Sequence, residues 1–364
     1  MPLPFVRARL WPALLRGVSC STIAVAAVGA QDSTTAPAAA LPPMENHGFI
    51  QVYYRTGDPL TKDGYRLRKA DFKFNGVLSP KLRWRITFDA AKALALNTAT
   101  GVVRDTSVVT TVAIDQKSRI LQDAALTYYP YRYLNLDMGQ QIVPLGLEAT
   151  TSSSALETIE RANFEAERSR AVGLGDVRDI GVSANGALPD GLEYHVGMFN
   201  EMGDDQGNTD TNQQKAVLGR LAYHPPIIPG LQFGGTGGYE PGPPNLRKQR
   251  VATEGQYRNP LITLRAETMA ARDGLLRRFG WYSLAAVRPT QTWQLVARYD
   301  SWDRDRTGES VLNNAFERQV VLGGAYLIDN GMAKVSLNVD RQTFPHITTV
   351  PDATFALLAF QAVW

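Results

Sequence analysis

The chain has 364 residues, 44% hydrophobic and 20% charged, and its 38 basic side chains outnumber the 35 acidic ones by three. Arg7, Arg9 and Arg16 precede residue 30 and no acid does, so the remainder is neutral and its charge gives no ground for nucleic-acid binding. No stretch after residue 30 is apolar for the ~18 residues that a spanning helix needs, which excludes a helical membrane protein.

Residues 1–30 read as a cleavable signal peptide: a basic start, a short apolar core over 17–28 and small residues at Val28-Gly29-Ala30. Cys20, the single cysteine, falls inside it, and Gly17 stands where a lipoprotein box wants Leu. The remainder therefore has no disulfide. Residues 31–47 (QDSTTAPAAALPPMENH), rich in Ala, Pro, Ser and Thr, read as a flexible periplasmic leader.

From residue 48 to 364 polarity alternates in segments of roughly eight to twelve residues, the pattern of membrane-barrel strands. Leu82, Trp84, Ile86 and Phe88 share one face, and Arg83, Arg85, Thr87 and Asp89 the other. Trp293, Leu295, Ala297 and Tyr299 alternate in the same way with Gln294, Val296, Arg298 and Asp300. In a soluble sandwich the apolar face would enter a core; in a barrel it meets lipid and the charged face lines water.

The connections separate these readings. Pro, Gly and Asn/Asp mark short turns near residues 79–80, 130–132, 189–191, 224–230, 259–260, 289–291 and 329–331. Longer polar stretches fall between them, over 92–119, 143–178, 201–214, 240–249, 303–315 and 344–352. Short turns on one side and long loops on the other predict an all-β, up-and-down antiparallel transmembrane barrel of about sixteen strands. Its closing strand, TFALLAFQAVW, ends in the aromatic Trp364, of the kind the barrel-assembly machinery reads. Closure also removes exposed sheet edges.

Several segments resemble the phosphate-selective porin O and P family of outer-membrane channels: YRLRKADFKFNGVL (65–78), DAALTYYPYRYLNLDMGQ (123–140), TIER (158–161), RDIGV (178–182) and VARYD (296–300). The resemblance implies passive diffusion of small hydrophilic solutes, phosphate or other anions among them. It implies a homotrimer embedded in outer-membrane lipid and lipopolysaccharide, and a third outer loop, 143–178, folded into the lumen. The middle of that loop, 154–170 (SALETIERANFEAERSR), has few breakers and is expected to form a short helix. As a constriction loop it offers Glu157, Glu160, Arg161, Arg168 and Arg170; the competing reading is a solvated outer helix.

Anion passage needs basic groups along the lumen wall. Strand parity turns Lys69, Lys73, Arg83, Arg85, Arg265 and Arg298 inward, but also Asp71, Asp89, Glu193, Glu267, Asp300 and Asp340. With only nine lysines, no short motif marks the lysine cluster that phosphate-binding members carry. Residues 203–212 (GDDQGNTDTN) are rich in oxygen ligands but lack calcium-loop spacing, and the four histidines make no metal motif. No cofactor, metal or nucleic acid is expected. Motifs for serine-hydrolase, nucleotide-binding or zinc-protease chemistry are absent, and no Ser can be assigned as a partner for the inward His195. The alternative to a channel is a closed barrel acting as receptor, adhesin or structural anchor.

Overall fold

The computed structural model describes residues 44–364 apart from 60–61, 95, 104–106, 115–119, 166–172, 203–212, 308–315 and 346–350. The expected signal peptide, most of the leader, the oxygen-rich stretch 203–212, Arg168 and Arg170 lie outside the described residues. The strands are β1 (Met44–Thr56), β2 (Gly64–Ser79), β3 (Leu82–Asp89), β4 (Leu96–Val103), β5 (Ser107–Ile114), β6 (Leu121–Tyr131), β7 (Leu134–Ile142), β8 (Arg178–Ala187) and β9 (Leu192–Phe199). They continue with β10 (Ala216–Tyr223), β11 (Leu231–Glu240), β12 (Lys248–Arg258), β13 (Ile262–Asp273), β14 (Leu276–Val287), β15 (Trp293–Asp303), β16 (Phe316–Ile328), β17 (Ala333–Thr343) and β18 (Ala353–Val363).

Sixteen strands close into one antiparallel barrel in chain order, β3 pairing with β6, and β4 with β5 form a separate two-stranded sheet. The barrel shuts where β1 meets β18: Gly48 N–H donates to the Trp364 carbonyl at 3.0 Å and Trp364 N–H returns a bond to Gly48 at 3.1 Å. Closure leaves every ladder paired, which the hydrocarbon core demands because no water is there to satisfy a free edge. Among the described residues no helix is long and apolar enough to cross a membrane.

The exterior carries the apolar rows. Leu126, Met138, Val196, Leu221, Leu264, Leu295, Leu322, Leu337, Leu358 and Phe360 are exposed there. Aromatic pairs such as Trp293–Tyr326 (ring centroids 5.1 Å apart) and Trp281–Tyr299 (5.2 Å) lie on the same outward face. Charged and amide groups alternate with them and turn inward, the reverse of a soluble sandwich.

Three details depart from the sequence reading. β1 begins at Met44, so residues 44–47, read as the end of the leader, pair with β2, with His47 opposite Lys73. The stretch 92–119, read as a polar loop, contains the β4–β5 hairpin; its Val and Thr run suits extended pairing. The alternation of short and long connections also fails once, between β13 and β14. There Asp273 pairs with Leu276 across a tight turn in which Gly274 takes φ 63°. This turn lies at the barrel end that otherwise carries the long connections.

The interior is not wholly polar. Phe355, Leu357 and Ala359 of β18 face inward and are buried with Ile159, while Leu218, Ala252, Met269, Tyr282, Leu284 and Trp302 form a second buried cluster with Leu145 and Phe164. Both clusters join wall residues to residues of the connection between β7 and β8, and the second also takes in Met202 from the connection between β9 and β10.

Candidate functional site

The described residues of that connection, 143–165 and 173–177, bond to inward side chains of the wall. Its stem is buried: Val143 N–H meets the Val177 carbonyl at 3.0 Å, and Leu145, Leu147 and Ala149 have almost no exposure. The one-turn helix α1 (Leu147–Thr150) presents its first amides to the wall: Leu147 N–H donates to Glu267 Oε1 at 2.6 Å and Glu148 N–H to Glu267 Oε2 at 3.1 Å. A carboxylate at a helix start satisfies otherwise unpaired donors and complements their partial positive charge.

The chain then runs extended along the inner wall. The expected helix over 154–170 does not form within 154–165: apart from a 3-10 turn at Ser153–Ala155, the backbone is irregular, with Leu156 at φ −67°, ψ 144°. The reason is competition for carbonyls. Those of Ser154, Leu156, Glu160 and Arg161 accept from Gln361 (2.9 Å), Lys334 (2.7 Å) and Arg298 (2.7 and 3.1 Å). Arg298 of β15 and Lys334 of β17 are charged donors and form the stronger bonds, while Gln361 of β18 donates as a neutral amide.

Ion pairs repeat the pattern. Glu157 lies between Arg258 and Arg265, 3.3 Å from the latter, and Glu160 is 2.9 Å from Arg68. Burial pushes the Glu157 carboxyl upward, yet the two arginines outweigh it and hold the group below its ordinary value. Glu148 Oε1 stands 3.9 Å from Arg265 and 4.0 Å from Arg298. Arg161 ties the segment to itself, donating to the carbonyls of Glu148 and Thr151 and lying 3.7 Å from Asp176.

Phe164 anchors the far end. Its ring centroid is 5.9 Å from Tyr282 and 6.2 Å from Trp302. It fits because β14 offers Gly280, where a Cβ would stand 2.5 Å from the Phe164 ring. Gly280→Ala is expected to lower the temperature of the heat-modifiable gel shift, since overpacking costs about 1–3 kcal/mol. Ser283→Ala, outward on the same strand, is the control that leaves it unchanged.

The basic residues chosen by parity thus divide. Arg265 and Arg298 face inward but are buried under the crossing segment, 3% and 2% exposed. Lys69 is buried against Asp89 at 3.2 Å. Arg85 keeps a third of its side chain exposed and has one carboxylate contact, 3.4 Å to Asp137, whose other oxygen accepts from Asn185 at 2.7 Å. Arg83 stacks its guanidinium 5.3 Å from the Tyr129 ring centre, and Lys73 is half-buried, with no hydrogen bond or ion pair among the described residues.

Parity missed other residues. Arg68 enters the lumen because a bulge between Gln51 and Val52 of β1 leaves it as the extra residue of β2, so Arg68 and Lys69 both turn inward. Arg220 grips Glu254 (3.0 Å) from β10, and Lys334 and Tyr282 reach the crossing segment or its receptor Glu267. Ser183 does meet His195: the hydroxyl is 3.1 Å from His195 Nε2 and donates to Gln141 Oε1 at 2.9 Å. The pair belongs to a polar strip with Asn135 and Asn185, which bond to each other at 3.0 Å.

An even-stranded closed barrel with an apolar exterior, a charged lumen and a segment crossing it is the architecture of an outer-membrane diffusion channel. The family profile of phosphate-selective porin O and P matches residues 44–253, and the chain belongs to that family. It is an integral barrel of the outer membrane and a channel for passive diffusion. A comparison with curated proteins returns no match.

Solved structures share the fold at low identity. The outer membrane channel DcaP of Acinetobacter baumannii is 12% identical, with a TM-score of 0.60 over 90% of this chain and 99% of that one. An anion-selective porin from Comamonas acidovorans is 11% identical, with a TM-score of 0.59 over 88% and 99%. The trimer form of OmpT from Vibrio cholerae is 10% identical, with a TM-score of 0.56 over 89% and 100%.

Proposed function

We propose that the channel prefers anions, and that solutes pass beside the basic column on β2 and β3. The observation that carries this is the column Lys73, Arg83 and Arg85, whose only ion pair among the described residues is the 3.4 Å contact of Arg85 with Asp137. The arginine fork suits phosphate and carboxylate oxygens, and Lys73 offers a point charge beside it. Arg265 and Arg298, held under the segment, serve as its anchors instead.

Residues 143–178 act as the constriction loop, narrowing the passage from the opposite side. The chain is exported by residues 1–30, assembles as a homotrimer, is recognised by the barrel-assembly machinery through its closing strand and sits among lipopolysaccharide. A reversal potential measured across a KCl gradient in planar bilayers tests the selectivity. Anion preference is expected, and cation preference overturns it. Absence of any single-channel current would turn the reading to a closed barrel serving as receptor, adhesin or anchor.

A further inference from the structure

We infer that Glu165, set beside Glu267, forms a proton-operated latch, which holds residues 162–165 of the crossing segment against β13–β15 while its carboxyl is protonated and releases them when the proton is lost. This rests on the channel reading above. Glu165 is fully buried, and neither of its carboxylate oxygens has a hydrogen-bond partner among the described residues. It is aimed at the receptor of α1: a Cβ at Gly146 would stand 2.3 Å from Glu267 Oε1 and 2.9 Å from Glu165 Oε1.

The surrounding charges do not offset a second anion there. Glu267 already accepts from Leu147, Glu148 and the Tyr282 hydroxyl (3.2 Å), and stands directly across the ladder from Glu254. Glu254 is engaged with Arg220 and with Gln232 at 3.1 Å, and Glu148 Oε2 with the Ala162 amide at 2.8 Å. On the segment, Arg161 spends its guanidinium on two carbonyls and Asp176; from β13 and β15, Arg265 and Arg298 face Glu148. An unpaired carboxylate in such a place is better off protonated. Burial first, then the charges of Glu267 and Glu148, hold the Glu165 carboxyl well above its ordinary 4.5.

The seated segment therefore binds a proton that the released one does not, and linkage makes its seating weaken as pH rises through the raised value. Release withdraws Phe164 from Tyr282 and Trp302 and widens the passage. The change is reversible because the proton is the only species exchanged.

Single-channel conductance of the full chain, recorded from acid to mildly alkaline pH, tests the latch. In the native protein conductance rises with pH from a low level to a high one. Glu165→Gln, neutral at every pH, stays at the low level throughout. A native trace without pH dependence, or a Glu165→Gln trace that still titrates, overturns the latch while leaving the channel reading intact. No current in either overturns the channel reading itself. Labelling of Ala162→Cys by a maleimide in a Cys20→Ser background provides an independent readout: alkaline pH exposes the thiol more than in the same chain carrying Glu165→Gln. Equal labelling of the two at each pH refutes the latch.

Discussion

Arg298→Ala frees the middle of the crossing segment, and the channel carrying it is expected to show a larger and noisier single-channel current than the native one. Arg298 donates to Thr158 Oγ1 and the Glu160 carbonyl at 2.7 Å and to the Arg161 carbonyl at 3.1 Å, while its Nε pairs with Asp300 at 3.0 Å. One side chain thus satisfies three acceptors on the segment and one carboxylate on its own strand. Removing one partner of a buried pair leaves the other uncompensated and costs about 3–5 kcal/mol. The three lost hydrogen bonds weaken the seating of the segment, and the unpaired Asp300 is left on β15, whose backbone stays paired with β14 and β16. The temperature of the heat-modifiable shift should fall only modestly while the current noise grows. Arg298→Lys, with a point charge in place of the planar fork, should lie between. A current trace of Arg298→Ala indistinguishable from the native one would falsify the anchoring role.

The barrel was legible because its evidence is local and repeated. Each strand shows period-two alternation, and turn residues such as Pro189-Asp190-Gly191 and Asp329-Asn330-Gly331 sit where the chain reverses. The β13–β14 turn escaped because Asp273-Gly274 lies inside a run of charged residues that reads as continuous strand. Arg68 escaped for a different reason: parity counts assume an unbroken ladder, and one bulge inverts everything on one side of it. The partners of the crossing segment escaped because they are set by contacts up to 207 residues apart, as between Gln361 and Ser154. One signal was available. TFALLAFQAV of β18 and WYSLAAV of β14 are apolar on both faces, whereas a wall between lipid and water needs only one. Such strands mark where something apolar packs inside the barrel, and here it is Ile159 and Phe164.

The triple replacement of Lys73, Arg83 and Arg85 by Gln is expected to abolish anion preference. An ion passing roughly 8 Å from each charge in a watery lumen feels on the order of 0.5 kcal/mol per charge, attractive for an anion and repulsive for a cation, so three together change each permeability by about tenfold in opposite directions. The shift in reversal potential should be largest in dilute KCl and shrink as salt rises, since at 0.1 M the screening length is only about 10 Å. Folding should survive: Arg85 is partly exposed, its contact with Asp137 is long, and Asp137 keeps its bonds from Thr127 and Asn185. Arg265→Gln supplies the contrast. Its guanidinium is buried against Glu157 and Glu148, so its loss should alter the size and noise of the current through the segment, with little change in permeability ratio. If instead Arg265→Gln moves the reversal potential and the triple replacement does not, solutes pass on the other side of the segment, and the column on β2 and β3 is only a solvated wall.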